Sequence, residues 1–191
     1  MRQLMFLPLV ALGLAAPAVA QPATAPDGSR AFGIEPYVGV MGGYEWFDNE
    51  PSEAGIPQPA RGQNLKGTLV QGVAGVNIPL GAFFVGAEGN VAKGVEGDID
   101  WQYGAAGRFG IRAGESGMFY GKVGYQWINL NSGPDSPDYD GMSYGIGVEV
   151  GPREIGLGGI TGESGVRLRL EANTSGDFNS FRPTVGLIAH F

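Results

Sequence analysis

Few side chains in this sequence have the types and spacing that catalysis requires. The 191-residue chain contains one histidine, His190, and no cysteine. A serine hydrolase or acyltransferase needs a nucleophile beside a histidine or a comparable activating group. No serine close to His190 in its apolar segment is a convincing nucleophile. We therefore expect a protein that is not an enzyme, with a lipid-modifying enzyme as the least favoured alternative. Glycine-rich strings such as residues 156–159 lack phosphate-loop spacing, so we expect no cofactor.

Carboxylates form a second group of chemically capable side chains, and they gather between the apolar segments. Those expected in outer loops are Asp48, Glu50, Glu53, Glu96, Asp98, Asp100, Asp135, Asp138, Asp140 and Asp177, against one arginine, Arg61. Such oxygen atoms are ligands for calcium and magnesium. The denser clusters, residues 96–100 and 135–140, lack the spacing of an EF-hand loop. We expect a solvated acidic surface and no metal site, with binding of a divalent cation as the alternative.

The elements that must position these residues are segments in which bulky apolar side chains alternate with glycine or single charges. Successive side chains of a strand point to opposite faces, so this alternation predicts β-strands. The eight predicted strands are Pro36–Trp46, Gly67–Ile78, Phe83–Val95, Trp101–Ala113, Met118–Ile128, Asp140–Val150, Gly165–Asn173 and Thr184–Phe191. Their length of about ten residues suits a tilted strand that crosses a membrane.

The two faces of these strands differ in a way that indicates which one points outward. A soluble barrel would carry lysine, glutamate and threonine outside, but the second face here is mostly glycine and too bare to be a solvated exterior. Aromatic residues also recur at one end of the strands, where an aromatic girdle belongs. They are Tyr44, Trp46, Trp101, Tyr103, Tyr125 and Trp127. We predict an all-β fold, an eight-stranded antiparallel up-and-down transmembrane β-barrel.

The connections between the predicted strands alternate in length. We expect tight periplasmic turns at Pro79–Ala82 and Gly114–Gly117. The expected outer loops are Phe47–Asn64, Glu96–Asp100, Asn129–Tyr139 and Thr174–Ser180. The connection Gly151–Ser164 is long for a periplasmic turn. This suggests that the strands on either side extend beyond their predicted bounds.

The first twenty residues have the parts of an export signal. Arg2 gives a positive start, Leu4–Ala16 is nearly all apolar, and Ala18–Ala20 is a small-residue cleavage site. We expect residues 1–20 to be a signal peptide, residues 21–32 a flexible lead-in, and residues 33–191 the barrel domain. The formal net charge of −7 argues against a nucleic-acid partner, which would require a basic surface.

Charged residues on the inward face suggest a belt across the lumen: Glu88, Arg108, Lys122, Glu149 and Arg167. Hairpin symmetry gives an approximate register: a loop centred on Asp98 pairs Glu88 with Arg108. Similar centring near Asp135 and Gly158 pairs Glu149 with both Lys122 and Arg167, and the turn between the fourth and fifth strands sets Arg108 beside Lys122. Because eight strands enclose a space that side chains can fill, we expect this belt to be a structural plug. A gated ion path is the alternative.

The chain resembles the opacity-protein and outer-membrane protein A-like family of eight-stranded barrels. The resemblance covers about Phe32 to Phe191. It rests on the order of five features: Pro36–Val40, Phe84–Glu88, Tyr120–Tyr125, Arg167–Glu171 and the final Phe191. It implies the outer membrane of a Gram-negative cell, surrounding lipids, and an insertion machinery that reads the last strand with Phe191. The family has no shared enzymatic activity, and its members are surface antigens, adhesins or envelope-stabilising proteins. We therefore expect a non-enzymatic surface protein with a plugged lumen, or alternatively a narrow porin for small solutes.

Overall fold

The computed structural model describes residues 33–48, 65–113, 117–130, 138–151, 165–176 and 178–191. The strands are β1 (Glu35–Phe47), β2 (Lys66–Leu80), β3 (Phe83–Gly97), β4 (Ile99–Ala113), β5 (Gly117–Leu130), β6 (Tyr139–Val150), β7 (Val166–Ser175) and β8 (Ser180–His190). They form one closed antiparallel barrel, in which each strand pairs with the next and β8 pairs with β1. The predicted all-β, eight-stranded antiparallel fold is confirmed. Within the described part of the chain, no helix is long and apolar enough to cross a membrane. The predicted signal peptide and lead-in lie outside the described residues.

The strands begin and end within a few residues of the predicted positions. The largest difference is in β8, which starts at Ser180 and not at Thr184. The strand continues through Pro183, which pairs with Ala172 of β7. Proline cannot donate a ladder hydrogen bond, so the sequence pattern gives a strand start that is too late.

One predicted loop is wrong. The connection expected at residues 96–100 is a tight reversal, because β3 runs to Gly97 and β4 begins at Ile99. Gly97 has φ of 103°, a left-handed conformation that glycine adopts without a steric penalty. The side chain of Asp98 accepts a hydrogen bond from the backbone N–H of Lys66 at 3.3 Å, so this aspartate ties the reversal to the start of β2. The connection at 152–164 lies outside the described residues, and so does the suggested extension of its strands.

The two faces of the barrel are segregated as the alternation predicts. Large apolar side chains on the outer wall are exposed, with Ile146 at 70% and Val40 at 63%. The inward charged residues are nearly inaccessible to solvent. We call the end that holds the start of β1, the end of β8 and the Gly81–Ala82 turn the turn end, and the opposite end the loop end.

The interior also holds apolar side chains, which the sequence analysis did not anticipate. The largest group lies at the loop end and is called here the apolar cap: Phe47, Leu65, Leu69, Ala92, Ile99, Ile128, Leu130 and Tyr139. Two smaller groups lie nearer the turn end, one containing Tyr37, Met41, Val73 and Ile188, the other Phe84, Met118 and Tyr120. The lumen face is therefore layered and is not made only of glycine and single charges.

Candidate functional site

Three cations and three carboxylates lie together inside the barrel and form what we call the ionic core. Its members are Glu88, Arg108, Lys122, Glu149, Arg169 and Glu171. They come from β3, β4, β5, β6 and β7, and each is buried. The inward parity of each strand brings these side chains to one region of the lumen. The formal charges of the six groups sum to zero.

Short ion pairs connect the whole ionic core. Arg108 Nη2 and Arg169 Nη2 both lie 2.7 Å from Glu149 Oε1. Arg169 Nη1 also lies 2.5 Å from Glu88 Oε2, so this arginine joins two carboxylates. Lys122 Nζ lies 3.0 Å from Glu88 Oε1 and 2.8 Å from Glu171 Oε2. A buried charge is tolerated only when partners of this kind compensate it.

Two tyrosines complete the ionic core. The Tyr37 hydroxyl donates to Glu88 Oε2 at 2.9 Å, and the Tyr120 hydroxyl donates to Glu171 Oε1 at 2.6 Å. The Arg108 guanidinium carbon lies 3.9 Å from the Tyr120 ring centroid and 4.9 Å from that of Tyr37. The rings therefore contact the arginine by their faces and satisfy carboxylates through their hydroxyls.

The predicted register of the belt is wrong in three of its four pairs. Glu88 pairs with Ala106 and not with Arg108. Lys122 pairs with Gly145 across β6, and Glu149 pairs with Arg169 of β7. Only the adjacency of Arg108 and Lys122 on β4 and β5 is confirmed. The centre of each connection differs from the residue on which the predicted hairpin was centred. The partner strand is therefore shifted along its axis.

The corrected register changes which residues belong together. Of the predicted belt, Glu88, Arg108, Lys122 and Glu149 meet in the ionic core, whereas Arg167 lies nearer the turn end. Sequence reasoning missed Arg169 and Glu171 as core residues. A signal for both was present, because they share the inward parity of Arg167 on the same strand.

At the turn end, Glu35 contacts Arg112, Arg167 and His190 from three strands, a group called here the Glu35 cluster. Its carboxylate lies 2.5 Å from Arg112 Nη2 and 3.6 Å from Arg167 Nη2. His190 lies between two carboxylates, with Nδ1 3.1 Å from Glu35 Oε1 and Nε2 2.7 Å from Glu149 Oε2. Both ring nitrogens of the single histidine thus face carboxylates, and the ring links Glu35 to the ionic core.

Toward the loop end, a second polar network, called here the Glu45 network, lies below the apolar cap. Gln102 Nε2 donates to Glu45 Oε2 at 2.6 Å, and Ser180 Oγ donates to Glu45 Oε1 at 3.1 Å. Arg182 donates to Gln102 Oε1, and its Nη1 lies 3.6 Å from Glu45 Oε2. One buried carboxylate therefore has three partners from β4 and β8.

The acidic loop residues have varied surroundings. Asp100 pairs with Lys93, whose ammonium also lies 4.8 Å from the Trp101 ring centroid. Asp140 accepts a hydrogen bond from Tyr125, and Asp138 accepts one from Asn129 at 2.8 Å. Within the described ranges, no group of three or more histidine, cysteine, aspartate or glutamate side chains is arranged to hold a metal ion. Glu50, Glu53, Asp135 and Asp177 lie outside those ranges.

The predicted aromatic band is present on the outer wall near the loop end. Tyr103 and Trp127 stack with ring centroids 5.5 Å apart, and Trp127 also contacts Tyr125 edge-on at 5.1 Å. Across the β1–β8 pairing, Trp46 contacts Phe181 at 5.0 Å. Amphipathic rings of this kind favour the boundary between an apolar and an aqueous phase.

No protein-family model matches the sequence, and no curated protein matches it either. Several solved structures have a similar backbone. Neisserial surface protein A aligns with a TM-score of 0.49 and 14% identity over 83% of this chain and 99% of its own. Ail, the attachment invasion locus protein of Yersinia pestis, gives 0.46 and 15% over 82% and 96%. A structure from the de novo design of transmembrane β-barrels gives 0.47 and 12% over 82% and 95%.

Proposed function

We propose that this protein is a non-enzymatic protein of the outer membrane, with a plugged lumen and acidic loops that face the cell exterior. The observation that carries the proposal is the outer wall, where large apolar side chains are exposed on all eight strands. A soluble monomer rarely exposes so continuous an apolar surface, whereas a membrane barrel requires one. In this proposal residues 1–20 direct export, and the last strand with Phe191 is read during insertion.

The layered interior favours a plugged lumen and argues against an open pore. An ion crossing the barrel would meet the Glu35 cluster, the ionic core, the Glu45 network and the apolar cap in succession. The ionic core is charge-balanced and tightly paired, so admitting an ion there requires breaking buried ion pairs. Leaving one member of a buried ion pair without its partner costs roughly 3–5 kcal/mol.

The remaining surface of the proposed protein is its loops, which are rich in carboxylates. We propose a structural, envelope-stabilising or adhesin-like role in which these loops contact other molecules. The single histidine supports this non-enzymatic proposal, because both of its nitrogens face carboxylates and not a nucleophile.

Planar-bilayer recording of the refolded protein tests the plug, after heat-modifiable gel migration has verified folding. We expect no stable conductance from the native protein. We expect none from Arg108→Ala either, although this variant unfolds more easily because Glu149 loses one of its partners. Large, persistent currents from the native protein would overturn the plug and favour the narrow porin.

A further inference from the structure

Between the ionic core and the apolar cap, the lumen contains uncharged polar side chains that we call the amide layer: Gln71, Asn90, Gln126 and Thr184. Sheet register places them close in height. Asn90 and Gln126 flank Gly104, with which each is paired. Thr184 pairs with Gly43, which also pairs with Leu69, the lumen-facing residue next to Gln71 on β2.

The amide layer has hydrogen-bonding capacity that the protein does not use. Gln71 is 1% exposed, yet both Nε2 and Oε1 lack a hydrogen-bond partner among the described residues. The same holds there for Asn90 Nδ2, Gln126 Nε2 and Thr184 Oγ1. By contrast, Gln102 in the Glu45 network uses both of its amide heavy atoms. Unpaired polar groups in a protein interior are costly, and ordered water commonly satisfies them.

Two lumen-facing glycines lie beneath side chains of the amide layer, which occupy the space that a glycine Cβ atom would need. A Cβ atom at Gly104 would lie 3.1 Å from Asn90 Oδ1 and 3.3 Å from Gln126 Cδ. A Cβ atom at Gly43 would lie 2.5 Å from the Thr184 methyl carbon. The side chains of Asn90, Gln126 and Thr184 thus cover lumen positions that carry no side chain of their own.

We propose that the amide layer binds a cluster of water molecules inside the barrel, and that the apolar cap is the barrier between these waters and the loop side. Apolar constrictions block permeation by excluding water. Leu69 belongs to the cap, is 0% exposed, and lies immediately toward the loop end from Gln71 on the lumen face. The inference deepens the plugged lumen of the proposed function by assigning the loop-side seal to apolar residues.

The bound water is tested by nuclear magnetic resonance on the native protein refolded in micelles. We expect nuclear Overhauser cross-peaks between water and the side-chain amide protons of Gln71, Asn90 and Gln126. Their sign should be the one that indicates water molecules with long residence times. The exposed Asn129 amide is the control and exchanges with bulk water. Absence of these cross-peaks from all three amides would overturn the water cluster. This readout does not depend on conductance, so it separates the inference from the proposed function.

The seal is tested by thiol labelling. Because the sequence contains no cysteine, only the introduced thiol can react. In a Gln71→Cys variant, we expect slow reaction with a charged methanethiosulfonate reagent. Adding Leu69→Ala should speed labelling at least tenfold, whereas adding Val70→Ala, on the outer face of the same strand, should leave it unchanged. If Leu69→Ala fails the heat-modifiability check, Ile128→Ala replaces it. Rapid labelling of Gln71→Cys alone, or equal rates in all variants, would refute the seal.

Discussion

Glu149 is the carboxylate that joins the ionic core to the single histidine. Its 0%-exposed carboxylate meets Arg108, Arg169 and His190. No other carboxylate within the described ranges links the ionic core directly to the histidine at the turn end. Its negative charge therefore compensates two guanidinium groups from β4 and β7, and its second oxygen contacts the His190 ring on β8.

The variant Glu149→Gln tests this role at the residue scale. The amide keeps the size of the side chain but removes the charge, which leaves two buried guanidinium groups undercompensated. We expect the free energy of unfolding to fall by about 3–5 kcal/mol in urea titrations followed by tryptophan fluorescence. The matched control is Asp100→Asn, which removes the exposed pair with Lys93 and should cost less than about 1 kcal/mol. Equal effects of the two variants would contradict a special role for Glu149.

At the scale of elements, close strand approach depends on particular glycines of the lumen face. A Cβ atom at Gly110 of β4 would lie 2.1 Å from the Phe119 carbonyl oxygen and 2.7 Å from Tyr120 Cβ. Gly72 of β2 lies on the outer face, and there the nearest atom would be Val91 Cγ1 at 3.8 Å. The β4–β5 hairpin therefore has no room for a methyl group at Gly110, whereas β2 has room at Gly72.

We expect Gly110→Ala to lower the free energy of unfolding by about 1–3 kcal/mol, because the strands must shift to admit the methyl group. Gly72→Ala serves as the control and should change it by less than about 1 kcal/mol in either direction. Equilibrium unfolding of both variants in the same detergent provides the comparison. A Gly110→Ala protein as stable as Gly72→Ala would show that the hairpin adjusts freely.

At the scale of the whole molecule, the exposed apolar wall predicts that the barrel is stable only within an apolar phase. Ile146 lies in the middle of β6 and is 70% exposed, whereas Phe178 is 72% exposed but lies in the β7–β8 connection at the loop end. Similar exposure at different heights makes these residues a matched pair.

In lipid vesicles, we expect Ile146→Arg to reduce the free energy of unfolding by about 2–4 kcal/mol and Phe178→Arg by about 0–1 kcal/mol. The cost of an arginine depends on its depth in the hydrocarbon, and the loop end lies near the boundary. Denaturant titration of both variants in the same vesicles measures the difference. Equal costs at the two positions would contradict membrane embedding of the wall.

The sequence by itself determined the number of strands, the face that each side chain takes and the outward position of the aromatic band. These features follow from a two-residue period that each segment carries locally, such as Val38 and Val40 outward against Tyr37 and Met41 inward. The apolar content of the lumen was missed because an inward Phe47 or Leu69 fits the same alternation as an inward glutamate.

Only the tertiary structure decided which inward charges meet. The predicted partner of Glu149 on β7 was Arg167, and the actual one is Arg169, two positions further. The shift is also two positions for Glu88, paired with Ala106, and four for Lys122, paired with Gly145. A one-residue slip would move a strand's side chains to the opposite face, but an even slip leaves every face unchanged. Alternation therefore cannot detect it, and register depends on how much chain each loop takes up and on which buried charges compensate one another.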